Sequence, residues 1–177
     1  MVADRVSAFI ALGSNLGRRE AHLARARSIL GARRGVEIVS ASRIYETDPV
    51  GGPDQGPYLN AVLGIETTLS PRSLLDQLLA IEAECGRDRG LETTRWQARN
   101  LDLDLLLYAD LCLRETGLEI PHPRLHERGF VLEPLCELAP KLRHPRLGET
   151  LACYRERARD ALGVQPLSRL GAWRVLP

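Results

Sequence analysis

The order of short apolar segments, interrupted by two long polar loops, constrains the fold of this chain most. Runs rich in β-branched residues or leucine alternate with runs whose apolar residues recur at helical spacing. The predicted order is strand, helix, strand, strand, helix, strand, over Val6–Leu12, Arg19–Arg33, Val36–Tyr45, Tyr58–Leu69, Ser70–Glu84 and Asn100–Tyr108. This is the split βαβ pattern of ferredoxin-like folds. We therefore expect an α+β domain with a ferredoxin-like βαββαβ core, an antiparallel sheet and helices on one face.

Two loops separate these elements. Thr47–Pro57 is rich in proline and glycine, and Gly86–Gln97 is polar and rich in arginine, so neither is predicted to be regular structure. Loops of this length in a compact domain are usually functional or disordered. We expect both to project from the same region of the domain.

The chain beyond Tyr108 is predicted to form smaller pieces. Leu111–Leu113 is expected to pair with the preceding strand around a turn at Ala109-Asp110. Pro121–Pro123 is a break, and Arg124–Arg128 is expected to form a single turn. The remaining predicted elements are a helix over Gly129–Leu138, a helix over Thr150–Leu162 and a last strand over Leu167–Val175.

Charge and cysteine usage exclude several classes of function. The formal net charge is +1, which gives no overall attraction to nucleic acid or to membranes, so an anion site has to come from local clustering. No apolar stretch approaches the roughly 20 residues that span a bilayer, and the start lacks a secretory pattern. The four cysteines form no CxxC pair, which argues against zinc and favours a reducing, cytoplasmic compartment.

An acidic pair lies in the predicted strand Asn100–Tyr108. Residues two apart on a strand share a face, so Asp102 and Asp104 should point the same way, roughly 7 Å apart. Hard carboxylate oxygens suit Mg²⁺, which also takes waters and phosphate oxygens. Such a pair could hold two metal ions at the roughly 4 Å spacing used in phosphoryl chemistry. Taken alone, the pair is equally typical of a solvated acidic strand face.

A cluster of arginines directly precedes the acidic strand, at Arg87, Arg89, Arg95 and Arg99. A planar guanidinium binds phosphate through paired N–H donors, and a triphosphate needs positive charge beside its metal. Alone, the cluster is typical of a solvated basic loop, but its place beside the acidic pair favours phosphate binding. Trp96 lies among these arginines and could pack on a nucleotide base or on the protein.

Other polar motifs give weaker signals. The sequence has no P-loop motif. Gly13–Gly17 is predicted to be a turn whose serine or asparagine caps the next helix, although its N–H groups could also bind an anion. His122 and His126 are spaced like helical metal ligands, but Pro123 biases His122 away from helical geometry. His122 is therefore predicted to donate a hydrogen bond to a phosphate.

A small group of residues could bind a flat ring. Tyr58 opens the strand after the first loop, Asn60 shares its face, and Phe130 follows Arg128-Gly129. Aromatic residues in such positions are more often part of the core. An aromatic ring and an amide on one face could also recognise a heterocycle.

Ordered motifs along the chain resemble those of a known family. They are Ala11–Gly17, Tyr45–Pro49, Asp54-Gln55 with Tyr58–Ala61, Glu82 with Gly86-Arg87, Arg95-Trp96, Arg99–Asp104, Pro121–Pro123 and Arg128–Phe130. Each motif is weak alone, but the ordered set is specific and runs from about Ala8 to about Pro145. It resembles the 6-hydroxymethyl-7,8-dihydropterin pyrophosphokinase family.

The resemblance implies transfer of diphosphate from ATP to the pterin hydroxymethyl group in folate biosynthesis, with two Mg²⁺ ions as cofactors. The implied catalytic residues are Arg87, Arg99, Asp102 and Asp104, of which the two aspartates hold the metal. The implied pterin contacts are Gly13, Thr47, Tyr58, Asn60 and Phe130. The implied ATP contacts are Glu82, Arg89, Trp96, Leu105, His122 and Arg128. The two loops would close over the substrates.

The resemblance also carries an expected domain organisation and some departures. Residues 1–148 would form the pyrophosphokinase domain, and 149–177 a C-terminal extension packed on it. We expect a cytoplasmic monomer that binds small-molecule substrates but neither nucleic acid nor membrane. Gln97-Ala98 stands where many relatives carry Gly-Pro, and Gly117 where some carry a phosphate-binding arginine.

Two other hypotheses fit the residues. One is a different Mg²⁺-dependent nucleotidyl or phosphoryl transferase that uses the acidic pair on another acceptor. The other is a non-catalytic ferredoxin-like module that binds a small ligand. The latter predicts that Asp102→Asn and Asp104→Asn leave ligand affinity unchanged.

Overall fold

A computed structural model describes residues 4–49, 55–86, 99–162 and 168–170 as an antiparallel sheet flanked by helices. Its strands are β1 (Val6–Ser14), β2 (Val36–Ala41), β3 (Ile44–Thr47), β4 (Tyr58–Thr67), β5 (Asp102–Tyr108), β6 (Leu113–Glu115), β7 (Leu118–Ile120) and β8 (Ser168–Leu170). Its helices are α1 (Arg19–Ala32), α2 (Pro71–Glu84), α3 (Gly129–Leu138) and α4 (Leu151–Leu162), with a 3₁₀ turn at Leu125–Glu127.

The main sheet has the order β5-β1-β4-β3-β8, and β2 also pairs with β4. The predicted α+β, ferredoxin-like order is therefore confirmed. The central strand β1 is longer than expected, because Gly13 pairs with Asn60 on one side and with Asp102 on the other. The strand β5 has one extra residue opposite β1, Leu106, which is a β-bulge.

The predicted single strand Val36–Tyr45 is wrong in one respect, since it is broken into β2 and β3. The break falls at Ser42, whose N–H donates to the Val62 carbonyl and whose hydroxyl accepts from the Val62 N–H. The Ser42 side chain thereby replaces a backbone partner. Both pieces still pair with β4, at opposite ends of it.

The helices lie on both faces of the sheet, which corrects the expectation of one face. On one face the leucines of α1 and α2 pack against Leu12, Leu63 and Leu103. On the other, α3 and α4 pack against Val62 and Leu106. The second layer matters for the site, because Asp102 and Asp104 alternate with the buried leucines and so face the α3 side.

The expected pairing of Leu111–Leu113 with β5 is also wrong. Leu111 N–H donates to the Tyr108 carbonyl and Ala109 has a positive φ of 45°, so the chain turns out of the sheet. The strand β6 then pairs with β7 in a separate two-stranded hairpin.

The ends of the helices agree with the sequence in one case and differ in another. Ser70 caps α2 through its hydroxyl, which accepts from the Ser73 N–H at 3.2 Å, as predicted. The N-cap of α1 is Arg18, and its side chain makes no capping bond, so the expected serine or asparagine cap is wrong.

The C-terminal segments pack on the same body. Leu151, Tyr154 and Ala158 of α4 join the core beneath α3, and β8 pairs with β3. The expected last strand is thus present at Ser168–Leu170, and its remaining residues lie outside the described ranges. The boundary at residue 148 stays a prediction. No helix in the described ranges is long and apolar enough to cross a membrane.

Candidate active site

The acidic pair lies at the start of β5, and each carboxylate faces an arginine. Arg99 Nη1 lies 3.2 Å from Asp102 Oδ2, and Arg128 Nη1 lies 3.3 Å from Asp104 Oδ2. The aspartate side chains remain 29% and 33% exposed. Two repelling carboxylates are thus balanced by cations from the preceding loop and from the start of α3, while a ligand can still reach them.

His122 is held beside Asp104 by backbone bonds. Its N–H donates to the Leu106 carbonyl at 2.9 Å, and its Nδ1 accepts from the Arg124 N–H at 3.2 Å. A neutral ring whose Nδ1 accepts must carry its proton on Nε2, which lies 3.8 Å from Asp104 Oδ2. Burial lowers the pKa of His122, while Asp104 opposes that shift. The ring is therefore a neutral donor aimed at the acidic pair.

Arg128 precedes α3 and connects the acidic pair to an aromatic ring. Its guanidinium carbon lies 5.7 Å from the centre of the Phe130 ring, a cation–π distance. Burial lowers the pKa of Arg128, and the Asp104 carboxylate works against this change. Because α3 begins here, its N-terminal N–H groups add to the positive potential.

A cavity of about 100 Å³ lies on the α3 face of the sheet. We call it the aromatic cavity. Its wall includes Ala11, Leu12, Gly13, Thr47, Asp48, Tyr58, Asn60, Ala61, Arg99, Asp102, Asp104, Arg128, Phe130 and Val131. Thus all five residues expected to contact a pterin border one space, together with both aspartates.

The floor of the aromatic cavity depends on a glycine. Asn60, Gly13 and Asp102 are cross-strand neighbours on β4, β1 and β5. A Cβ at Gly13 would lie 3.5 Å from Asn60 Oδ1 and 3.9 Å from Asp102 Cβ. The missing side chain therefore leaves room between an amide and a carboxylate.

The polar edge of this cavity is fixed by hydrogen bonds. Asn60 Nδ2 donates to Thr47 Oγ1 at 2.8 Å, and both residues are buried. This orients the Asn60 oxygen toward the floor at Gly13. Tyr58 is partly buried, and burial raises the pKa of its phenol, which keeps the ring neutral.

A second cavity of about 540 Å³ lies around the free side of β5. We call it the leucine cavity. Its wall consists of Leu75, Leu79, Leu103, Asp104, Leu105, Arg114, Glu115, Gly117, Leu118, Glu119, His122 and Pro123. It thus combines an apolar wall from α2 and β5 with charged groups from the β6–β7 hairpin and from His122.

One residue borders both cavities. Asp104 lines the aromatic cavity and the leucine cavity, whereas Asp102 lines only the first and His122 only the second. The strand β5 therefore separates a small, flat-walled space from a larger one, with a carboxylate at their junction.

The comparisons with known proteins agree on one family. Residues 9–140 match the 7,8-dihydro-6-hydroxymethylpterin-pyrophosphokinase (HPPK) family. The chain belongs to this family. It is 44% identical over 135 residues to 2-amino-4-hydroxy-6-hydroxymethyldihydropteridine pyrophosphokinase of Bacillus subtilis, which covers 76% of this chain and 79% of that one. The Synechocystis protein of the same name is 40% identical over 161 residues, covering 91% and 80%.

Solved structures agree with the HPPK fold. The Plasmodium falciparum HPPK-DHPS structure with SDX-DHP aligns with a TM-score of 0.69 at 15% identity, covering 90% of this chain. The alignment spans 46% of the Plasmodium chain. At this identity the likeness establishes the fold alone.

The donor set at the acidic pair suits the metal that the HPPK resemblance implies. Within the described ranges no group of three or more His, Cys, Asp or Glu could hold a metal ion. The acidic pair offers two carboxylates that remain partly exposed. Mg²⁺ usually binds through one or two carboxylates, with waters and substrate phosphates completing its shell. Asp102 and Asp104 therefore fit Mg²⁺ better than a metal that needs a full protein cage.

One HPPK site residue predicted from the sequence, Glu82, lines neither cavity. Glu82 is buried beneath β5, where its Oε1 accepts from the Leu103 N–H at 2.7 Å, so it covers the free edge of the strand. Arg87, Arg89 and Trp96 lie outside the described residues, and their predicted contacts stay predictions.

The structure also adds residues that the sequence reasoning missed. Ala11 and Asp48 line the aromatic cavity, and Arg114 and Glu119 line the leucine cavity. Ala11 and Gly13 alternate along β1 on the face of the acidic pair. Two small residues at period two were the available signal for a cavity floor. Arg114 and Glu119 gave no such signal, because the hairpin pairs them only in the fold.

Proposed function

We propose that this HPPK-family chain transfers diphosphate from ATP to the hydroxymethyl group of 6-hydroxymethyl-7,8-dihydropterin, releasing AMP, in folate biosynthesis. The observation that carries the proposal is the position of Asp104 between the two cavities. A diphosphoryl transfer needs two substrates whose reacting atoms meet at a site that neutralises phosphate charge. The junction between the cavities meets that requirement.

The aromatic cavity is the proposed pterin site. Tyr58 and Phe130 supply rings for stacking on a flat bicycle, and the Asn60 amide and Thr47 hydroxyl supply polar partners for its edge. Gly13 leaves the floor free. The hydroxymethyl group would then point toward the aspartates.

The leucine cavity is the proposed nucleotide site. Leu105 and its neighbours supply an apolar surface for adenine, and His122 supplies a donor for phosphate oxygens. Arg128 lines the aromatic cavity but pairs with Asp104 at the junction, and it supplies a second donor there. Arg99 lies on the pterin side of the junction. The predicted contacts of Arg87, Arg89 and Trp96 with the nucleotide are part of this proposal and rest on the family resemblance.

Asp102 and Asp104 are the proposed ligands of two Mg²⁺ ions. When bound, Mg²⁺ neutralises phosphate charge and polarises the phosphorus that is attacked. The aspartates would exchange arginine partners for metal, because Arg99 and Arg128 now hold the carboxylates at salt-bridge distance. Those two arginines would then be released to bind phosphate oxygens.

In the proposed reaction, the hydroxymethyl oxygen attacks the β-phosphorus of ATP, the bond from that phosphorus to the α-phosphate bridging oxygen breaks, and AMP leaves. The residues act by placement and charge neutralisation. The Nε2–H of His122 donates to a phosphate oxygen. Asp102 is the carboxylate that borders only the pterin side, so it is the one placed to receive the hydroxyl proton.

A coupled assay for AMP tests the proposal, using ATP, MgCl₂ and the reduced pterin. AMP and the pterin diphosphate should form in equal amounts, and EDTA should abolish both. Folded protein that forms no AMP overturns the proposal. Release of ADP or pyrophosphate instead would assign a different transferase. A monomeric state and a cytoplasmic location remain predictions.

A further inference from the structure

Asn15 lies beside the aromatic cavity without lining it. It follows β1 and is only 7% exposed. Its N–H donates to the Arg99 carbonyl at 3.1 Å, and its Oδ1 accepts from the Arg99 N–H at 2.7 Å. Asn15 and Arg99 therefore exchange two hydrogen bonds, as paired residues of adjacent antiparallel strands do, and the Asn15 side chain supplies one of the acceptors.

The other end of the Asn15 amide is connected to the wall of the aromatic cavity through Gln55. Asn15 Nδ2 donates to Gln55 Oε1 at 2.9 Å, and the Tyr58 hydroxyl donates to the same oxygen at 3.1 Å. Arg99 in turn pairs with Asp102. A continuous series of polar contacts thus runs from the aromatic wall, through Gln55, Asn15 and Arg99, to the acidic pair.

The orientation of the Asn15 amide follows from its partners. The Arg99 N–H can only donate, so the atom facing it must be the carbonyl oxygen of Asn15. The NH₂ group then faces Gln55 and needs an acceptor, which is Gln55 Oε1. An isosteric leucine could make neither bond, whereas an aspartate would keep the acceptor for Arg99.

Gln55 and Arg99 also occupy equivalent places in the chain. Gln55 lies near the end of the first long loop, three residues before β4, and Arg99 follows the second long loop, three residues before β5. The two loops are far apart in sequence, yet a single buried amide connects the residues at which they return to the sheet.

We propose that Asn15 is a positioning residue that sets the Tyr58 wall and the Arg99 guanidinium in one fixed arrangement around the acidic pair. This inference rests on the proposed function, because it assigns the contact through Gln55 to Tyr58 to pterin binding and the contact with Arg99 to phosphate transfer. Loss of the amide should therefore affect both the KM for the pterin and kcat. A purely structural residue would change stability alone.

The test compares Asn15→Leu, Asn15→Asp and Gln55→Leu by steady-state kinetics and by calorimetric titration with a pterin. The control is Tyr108→Phe, which removes one tertiary hydrogen bond, from the Tyr108 hydroxyl to the Leu69 carbonyl at 2.8 Å, at the far end of β5. Asn15→Leu should lower kcat/KM about 10- to 100-fold, because buried partners lose their bonds and the reacting groups lose alignment. Tyr108→Phe should lower the melting temperature without changing kcat or KM.

The variants separate the two contacts. Gln55→Leu should raise the KM and Kd for the pterin with little change in kcat. Asn15→Asp should recover most of the kcat lost in Asn15→Leu, because it keeps an acceptor for the Arg99 N–H. The Asn15→Leu/Gln55→Leu double variant should weaken pterin binding by less than the product of the two single effects, since both substitutions remove the Asn15–Gln55 bond.

The outcomes distinguish failure of the inference from failure of the function. If the unaltered chain forms no AMP, the proposed function fails. If it forms AMP but Asn15→Leu behaves like Tyr108→Phe, the positioning role is wrong. The positioning role would also be overturned if the double variant lost pterin affinity by the full product of the losses in Asn15→Leu and Gln55→Leu. If Asn15→Leu does not fold, the kcat values of Asn15→Asp and Gln55→Leu are compared instead. A loss of kcat in Gln55→Leu but not in Asn15→Asp contradicts the proposal.

Discussion

The aromatic cavity and the leucine cavity share Asp104 but are built from different parts of the fold. The floor of the aromatic cavity comes from β1 and β4, which pair on both sides with other strands. The leucine cavity takes its walls from α2 and from the β6–β7 hairpin, whose strands have three residues each. The first is therefore fixed by the sheet, and the second by packing between separate elements.

The difference indicates where selectivity resides. A rigid space of about 100 Å³ with a fixed amide and two aromatic rings can reject ligands of the wrong shape, because its walls cannot adjust cheaply. A space of about 540 Å³ with an apolar wall and charged groups suits a larger, more flexible ligand. We therefore expect the pterin side to set specificity and the nucleotide side to contribute charge.

The largest expected effect is at the shared residue. Asp104→Asn should lower kcat at least about 10³-fold, as expected when a preorganised charge at the reacting phosphate is lost. The fold should survive, because the side chain is one-third exposed and asparagine has nearly the same shape. Kinetics together with a melting curve measure this.

Asp110→Asn is the matched control for this prediction. Asp110 is an exposed aspartate in the turn after β5 and lines neither cavity. An Asp104→Asn variant that turns over normally, or that loses affinity for one substrate only, would break the idea that both cavities depend on this residue.

The next effect should be confined to the aromatic cavity. Gly13→Val places methyl groups between Asn60 and Asp102, where the pterin ring is expected, and should weaken pterin binding about 100-fold or more. Affinity for a non-hydrolysable ATP analogue should stay the same. Gly13→Ala should have a much smaller effect, since its Cβ makes ordinary contacts of 3.5 and 3.9 Å. Calorimetry with each ligand separately compares the two variants, and equal losses for both ligands would contradict the division between cavities.

A complementary change addresses the leucine cavity. His122→Ala removes a neutral donor and should weaken binding of the ATP analogue about 10- to 100-fold, the range for a hydrogen bond to a charged group. Pterin affinity should change less than about twofold, because His122 lines only the leucine cavity. His22→Ala, on α1, is the control. A pterin effect as large as the nucleotide effect would show that the two sides are not separate.

The smallest expected effect is on pH-dependent stability of the wall that carries His122 and Arg128. His144 is 3% exposed and packs against Tyr154 and against His126, which lies between His122 and Arg128 in the chain. Burial, followed by the charges of His126 and Arg146, lowers the pKa of His144 from its ordinary value of 6.5. The unfolded chain then binds more protons below that pH, so stability is present above about pH 6.5 and is lost as the pH falls.

Hydrogen exchange, corrected for intrinsic rates, should show residues 122–132 losing protection below about pH 6.5 while residues 58–62 keep theirs. His144→Asn keeps an acceptor for the N–H groups of Arg146 and Leu147, which now bond His144 Nδ1, but cannot titrate. This substitution should reduce the loss of protection of residues 122–132 below about pH 6.5. An unchanged decline would assign the pH dependence to other groups.

The sequence predicted those features that depend on local patterns. The strand order and the shared face of Asp102 and Asp104 follow from period-two alternation, and Ser70 was recognisable as a cap. For Glu82, a local pattern in the sequence was available and was not used. Glu82 sits on the buried stripe of α2 with Leu78 and Ile81, so the helical spacing already indicated a core position.

Other features depend on contacts that no local pattern contains. The bond between Asn15 and Arg99 joins residues 84 positions apart, and a Gly-Ser-Asn segment looks the same when it is an ordinary helix cap. The placement of α3 was unpredictable for another reason. Seven of its ten residues are buried, Glu133 among them, so its sequence gives little polar pattern to indicate which side of the sheet it covers.

The bulge at Leu106 has a consequence for how this site can change over evolutionary time. It is the extra residue opposite β1, and its carbonyl holds His122. The orientation of the aspartates is set on the other side of it, by pairing with Ala11 and Gly13. Insertions or deletions after Tyr108 can therefore accumulate in the hairpin without rotating the face that carries Asp102 and Asp104. A single-residue deletion between Asp102 and Asp104 would instead place the two carboxylates on opposite faces of the strand, and we expect lineages to conserve the length of that short segment.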